Sequence, residues 1–178
     1  MGAKSTPTKF GTIAIANHWI SAILILAMIV LGFSFAASSA EATKVAIMRW
    51  HAPLGVLILV LTVLRIVWWI FIDKKPEPVA GTSRPMHILA SATHGVLYLI
   101  ILVMGASGIG MMVLSGAGEI LFGGANRPLP DFDNFAPHIA HGLGAFALIA
   151  LLVLHVVAAI YHQVILRDGL MSRMGVGS

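Results

Sequence analysis

Eight histidines and no cysteine set the coordination chemistry open to this chain. Imidazole nitrogens can ligate iron, zinc or copper, or relay protons. Without thiolates there is no iron–sulfur cluster, no thiolate zinc site, no disulfide and no C-x-x-C-H attachment of a haem. Two of the histidines, His141 and His155, lie fourteen residues apart within Ala136–Leu166, APHIAHGLGAFALIALLVLHVVAAIYHQVIL. At about 100° per residue in a helix, fourteen steps return to within about 40° of the start, so both imidazoles share one face. The rise between them is about 21 Å, most of a hydrocarbon core about 30 Å thick. This stretch is therefore expected to hold one inward histidine near each face of a membrane, which suits two cofactors stacked across it.

The elements that must position these residues follow from composition. The chain of 178 residues is 58% hydrophobic and 10% charged, with a mean hydropathy of +0.95, whereas soluble domains are about a quarter charged. Length and composition fit a single membrane domain, residues 1–178, with four spans at about 12–37, 50–72, 87–114 and 136–166. Apolar runs of this length cannot be single strands, so the expected fold class is all-α, an integral membrane four-helix bundle. Ser38–Arg49, Asp73–Pro85 and Ser115–Pro137 read as loops, the last with room for a short surface helix. The apolar run from Gly11 to Ala40 is too long for a signal h-region and reads as a span rather than a cleaved leader. Lys4, Lys9, Lys74, Lys75, Arg84, Arg167 and Arg173 fall on one side, and Lys44, Arg49 and Arg127 on the other. The positive-inside rule then puts both termini in the cytoplasm, with up-down-up-down topology. The pI near 9.9 reflects these flanking cations and implies no nucleic-acid partner.

Helix direction sorts four histidines by depth: His18 with His155 near the cytoplasm, His51 with His141 near the outer face. Polar groups at membrane depth are costly and are functional candidates. A lone intramembrane histidine can serve only as an interhelical hydrogen-bonding residue, but four at matched depths fit two bis-histidine b-type haems. Zinc would want four ligands at one point, whereas these pairs are separated by about 21 Å. His138, three residues from His141, is an alternative ligand that falls about 100° off the His155 face. His94 and His162 lie toward the cytoplasmic end as hydrogen-bonding or proton-relay residues, and His87 lies near the interface. Arg65, fourteen residues after His51, shares its face and suits a haem propionate or a quinone, with snorkelling as the bland alternative. Trp68 and Trp69 read as belt residues first and quinone-stacking residues second, and Met104, Met111 and Met112 as packing. Gly105, Gly108 and Gly110 suit close helix approach or room for a flat ligand.

With these residues in place, the chain resembles the bacterial di-haem cytochrome b561 family. That family lies within the group that includes the membrane cytochrome b subunits of hydrogenases and formate dehydrogenases. The resemblance covers nearly the whole chain. It rests on His18-Trp19, His51 with Arg65, His94 to Tyr98, and His141, His155 and His162 followed by Arg167-Asp168. It implies four transmembrane helices in the bacterial inner membrane and two haem b groups, with His18/His155 and His51/His141 as the axial pairs. It also implies electron transfer between quinones and another partner. In the best-defined branch, superoxide oxidation is coupled to ubiquinone reduction.

The expected function is transmembrane electron transfer between a periplasmic-side reductant (superoxide, another small redox substrate or a redox protein) and an exchangeable quinone. Arg65, His94 and His162 are the residues expected at the quinone site. The alternative is a membrane-anchor and relay subunit of a larger dehydrogenase or hydrogenase complex, and a proton or metal transporter is a third reading. The outer loops hold three basic and four acidic residues, so net charge alone makes no funnel for a superoxide anion.

Overall fold

Long apolar runs in a solvent without water must satisfy every backbone group internally, and helices do so within one segment. The computed structural model describes residues 2–79 and 81–177 and contains no strand among them. Its helices are α1 (Thr12–Ala37), α2 (Glu41–Val67), α3 (Arg84–Ser115), α4 (Ala117–Leu121) and α5 (Pro137–Tyr161). Two of them, α2 and α5, end in a wide π turn, Trp68–Ile72 and His162–Leu166. Four helical segments are long and apolar enough to cross a membrane: Thr12–Ala37, Glu41–Ile72, Arg84–Ser115 and Pro137–Leu166. At 32 residues each, the second and third are about 48 Å long, so their ends project beyond the hydrocarbon or tilt within it.

The second span departs from expectation. Ser38–Arg49 does not form a loop; only Ser38, Ser39 and Ala40 connect α1 to α2. Glu41 stands in the first turn, where the helix dipole favours an acid, and Ala42 to Met48 are ordinary helix formers. The charges there mark the helix's projection into the outer aqueous layer, not its absence. His51 therefore lies ten residues inside α2, two before the internal Pro53. The third span likewise starts early, at Arg84, with Pro85 in the first turn, where its missing N–H costs nothing.

The short helix α4 also differs from the expected surface helix. Gly116, at φ 66°, folds the chain back at the end of α3, and Ala117, Ile120 and Leu121 become 0%, 6% and 3% exposed. They plug the outer end against α2 and α3. Arg49 Nε donates to Leu121 O at 3.0 Å and Arg127 Nη2 to Gly116 O at 3.3 Å, which fastens the plug.

Close packing runs α1 on α2, α2 on α3 and α3 on α5, while α5 stands off from α1 and α2. Glycines set two of these crossings. A Cβ on Gly105 would lie 2.9 Å from Leu59 of α2, and one on Gly144 would lie 2.7 Å from Met104 Sδ of α3. Asn17 Nδ2 ties α1 to α2 through Leu61 O at 3.2 Å. Large apolar side chains such as Phe71, Val113 and Phe146 point outward, which in a membrane protein is the lipid-facing surface.

Both termini lie at one end, tied together by the loop after α2. Ser5 donates to Asp73 Oδ2 from its backbone N–H at 2.9 Å and its hydroxyl at 2.8 Å. Glu77 N–H donates to Pro7 O at 2.9 Å and Arg173 Nη1 to Glu77 O at 2.7 Å. Trp19 Nε1 reaches Met174 O at 3.1 Å. Asp73, 9% exposed, is the hub. Burial opposes its ionisation, but the Ser5 backbone N–H and hydroxyl, the Lys74 N–H and the Trp68 indole together hold its carboxyl below the usual value.

Candidate functional site

The helix directions bring four histidines together as two pairs. His18 of α1 faces His155 of α5, with ring centroids 6.2 Å apart and planes at 55°. His51 of α2 faces His141 of α5 at 6.2 Å and 58°. A metal–imidazole bond is about 2 Å long, and the ring nitrogen lies about 1 Å from its centroid, so two axial imidazoles across one iron have centroids about 6 Å apart. Each pair therefore has the spacing of a bis-imidazole site. The pairs also span the gap in the bundle where α5 stands off from α1 and α2. Among the described residues no three His, Asp or Glu side chains converge as a metal cluster, so the geometry does not offer a zinc set.

The outer pair is oriented from α3. His141 Nδ1 lies 3.1 Å from Met104 O and 3.1 Å from Ser107 Oγ. The Ser107 hydroxyl is itself 3.0 Å from Met104 O. Nδ1–H donates to that carbonyl, which fixes the tautomer and leaves Nε2 as the free ligand nitrogen. Gly108 keeps the ring uncrowded, since a Cβ there would be 3.4 Å from His141 Cε1. His51 Nδ1 is buried with no hydrogen-bond partner. Such an orphan costs about 1–3 kcal/mol, which a metal bond made by Nδ1 itself would offset. The donor set fits haem iron.

The inner pair has more neighbours. Trp19 lies edge-on to His18 at 5.3 Å and His94 edge-on to His155 at 5.4 Å. His94 Nδ1–H donates to Ala90 O at 2.7 Å, leaving Nε2 free. Arg65 sits beside Tyr98, His18 and His94, and its Nη2 is buried without a partner.

His162, the third residue expected beside Arg65 and His94, makes its hydrogen bond elsewhere. Its Nδ1 is 2.5 Å from Asp168 Oδ2, and both side chains are 19% exposed. Burial opposes ionisation of Asp168, but the bonds from His162 and from Leu170 N–H (3.0 Å to Oδ1) hold its carboxyl below the usual value. His138 is paired with Asp133 at 3.1 Å, and His87 is exposed.

Sequence reasoning passed over Ser107, and it used Tyr98 and Asp168 only as part of the family resemblance, with no chemical role. Ser107 offered a signal, a hydroxyl between Gly105 and Gly108 in an apolar run. Asp168 offered one too, an acid just past a span that ends in histidine chemistry.

A membrane helical bundle whose inward histidines pair at one-iron spacing has the architecture of a membrane b-type cytochrome. The chain belongs to the prokaryotic cytochrome b561 family, whose model matches residues 9–177. It is 29% identical over 180 residues to cytochrome b561 homolog 2 of Escherichia coli (strain K12), covering 98% of this chain and 95% of that one. It is 28% identical over 179 residues to "Probable superoxide oxidase CybB" of Yersinia pestis, covering 93% and 95%. A cytochrome b562 of Cereibacter sphaeroides is 34% identical over 124 residues, 70% of this chain and 65% of that protein. The family and the four apolar helices make this a multi-pass bacterial inner-membrane protein that binds haem b and transfers electrons.

Proposed function

We propose that the chain holds two haem b groups, one between His18 and His155 and one between His51 and His141, and links a reductant at the outer face to the quinone pool. The observation that carries this reading is the pair of matched 6.2 Å histidine separations at opposite depths. Haem b, when bound, supplies reversible one-electron chemistry at its iron. The chain's own residues hold, orient and insulate. Met104 O and Ser107 fix the His141 ring. The buried Arg65 guanidinium supplies a fixed positive charge for a propionate or a quinone oxygen. His94, with Nε2 free, lies beside the same cluster, and His162 donates the proton at the aqueous boundary.

Superoxide is the reductant we favour, after the function in the Yersinia pestis relative's name. Two superoxide anions, one quinone and two protons would give two dioxygen molecules and one quinol. Arg49 and Arg127 line a cleft at the outer end, together with Glu41. Each arginine uses one nitrogen on a backbone carbonyl, and neither is ion-paired among the described residues. Within outer loops whose summed charge is slightly negative, these two guanidinium groups gather positive charge at one cleft.

The test is the purified protein. Reduced-minus-oxidised spectra and iron content should give two b-type haems per chain, and a superoxide source should reduce ubiquinone through it. One haem per chain sinks the paired assignment. Two haems with no superoxide or quinone chemistry in isolation would favour the relay-subunit alternative.

A further inference from the structure

The C-terminal end of α5 carries a local construction that the haem sites do not require. After the π turn His162–Leu166, Arg167 adopts φ 49°, the one non-glycine residue in the left-handed region among those described. That conformation is unfavourable for a side-chain-bearing residue and persists only where its surroundings impose it. Here it reverses the chain so that Asp168 folds back onto the last turn of the span. One carboxylate oxygen, Oδ2, meets His162 Nδ1, and the other, Oδ1, accepts Leu170 N–H at 3.0 Å. The carboxylate is therefore clamped from both sides and cannot rotate away from the imidazole.

We propose that Asp168 is a positioning residue for quinone protonation: it holds His162 in the Nδ1–H tautomer so that Nε2 takes a proton from cytoplasmic water and passes it to a quinone oxygen. The inference rests on the quinone reading above. Reduction of a quinone to a quinol consumes two electrons and two protons. The electrons come from the reductant by way of the cytochrome. The protons must come from the aqueous side, each entering at His162 Nε2 and leaving to a quinone oxygen, which restores the neutral ring. While the ring is doubly protonated, the adjacent carboxylate balances its charge. Asp168 lies thirteen residues beyond His155 and hydrogen-bonds to His162 and Leu170 rather than to either histidine pair, so its role is separable from iron ligation.

Asp168→Asn tests this. Leu170 N–H requires an oxygen on its side, so the amide presents its NH2 to His162 Nδ1 and drives the ring proton to Nε2. ¹⁵N chemical shifts of histidine-labelled protein should show His162 protonated at Nδ1 in the parent and at Nε2 in the variant. The kcat for quinone reduction should fall about tenfold or more with KM little changed, while haem content and spectrum stay as in the parent. Asp168→Glu, which keeps the carboxylate, should recover most of the rate. An unchanged tautomer, or a kcat within about twofold of the parent, overturns the proposal and leaves the quinone reading standing. A haem-replete parent that does not reduce quinone overturns both.

Discussion

A histidine's role here is decided by what its other nitrogen meets. His141 has Nδ1 tied to Met104 O and Ser107, His94 to Ala90 O and His162 to Asp168; each bond selects a tautomer and aims the remaining nitrogen. The pairing makes a direct prediction. His18→Ala and His155→Ala should each lose one haem, the same one by redox titration and spectrum, and keep the other; His51→Ala and His141→Ala should lose the second. Loss of a common haem from His51→Ala and His155→Ala would mean the pairs are wrongly drawn. Ser107→Ala gives a finer test. It leaves the Met104 carbonyl bond to His141 intact but removes a hydroxyl neighbour, so the haem proposed between His51 and His141 should stay bound with a shifted potential. An unshifted potential would deny Ser107 any part in tuning the site.

At the scale of elements, the order and depth of the helices were legible because apolar length and chain direction suffice to sort His18, His51, His141 and His155. The ends were not. Glu41 to Arg49 carries charge because α2 projects into water, and hydropathy cannot tell a projecting helix from a loop. The burial of α4 depends on a left-handed turn at Gly116 and on partners in α2, neither of which has a periodic signature. The clasp at the other end is no more readable, because Ser5 and Asp73 are 68 residues apart.

The clasp carries its own prediction. The folded carboxyl of Asp73 is held below its usual value, so its stabilisation is fully present above the unfolded value near 3.9. That stabilisation is lost as pH falls through the lower folded value. Asp73→Asn should weaken protection of the backbone amides of residues 5–11 at neutral pH by about 1–2 kcal/mol, and the deficit should shrink once acid protonates the parent. Hydrogen exchange at both pH values reads this directly, and equal protection at neutral pH would remove Asp73 as the hub. The α2–α3 crossing is likewise open to test. Gly105→Ala puts a methyl 2.9–3.1 Å from three Leu59 atoms, including Cβ, and should cost about 1–3 kcal/mol, seen as earlier thermal release of haem.

For the whole molecule, orientation decides which chemistry belongs to which side of the membrane. The clasp gathers both termini and the loop after α2 at one end, and seven basic residues lie there against three at the α4 end. By the charge rule the clasp is cytoplasmic, which sets His18, His155, Arg65, His94 and His162 toward the cytoplasm, the side of the proposed quinone reduction, and Arg49 and Arg127 toward the periplasm. Because the chain has no cysteine, a single introduced thiol reports its side without background. Asn126→Cys, in the exposed loop beyond α4, should react with a membrane-impermeant maleimide in intact spheroplasts. Lys74→Cys, exposed beside the clasp, should react only after permeabilisation. The opposite pattern would leave the histidine pairs intact but invert the proposed path, placing the Asp168–His162 dyad in the periplasm, where it could not draw cytoplasmic protons for quinone.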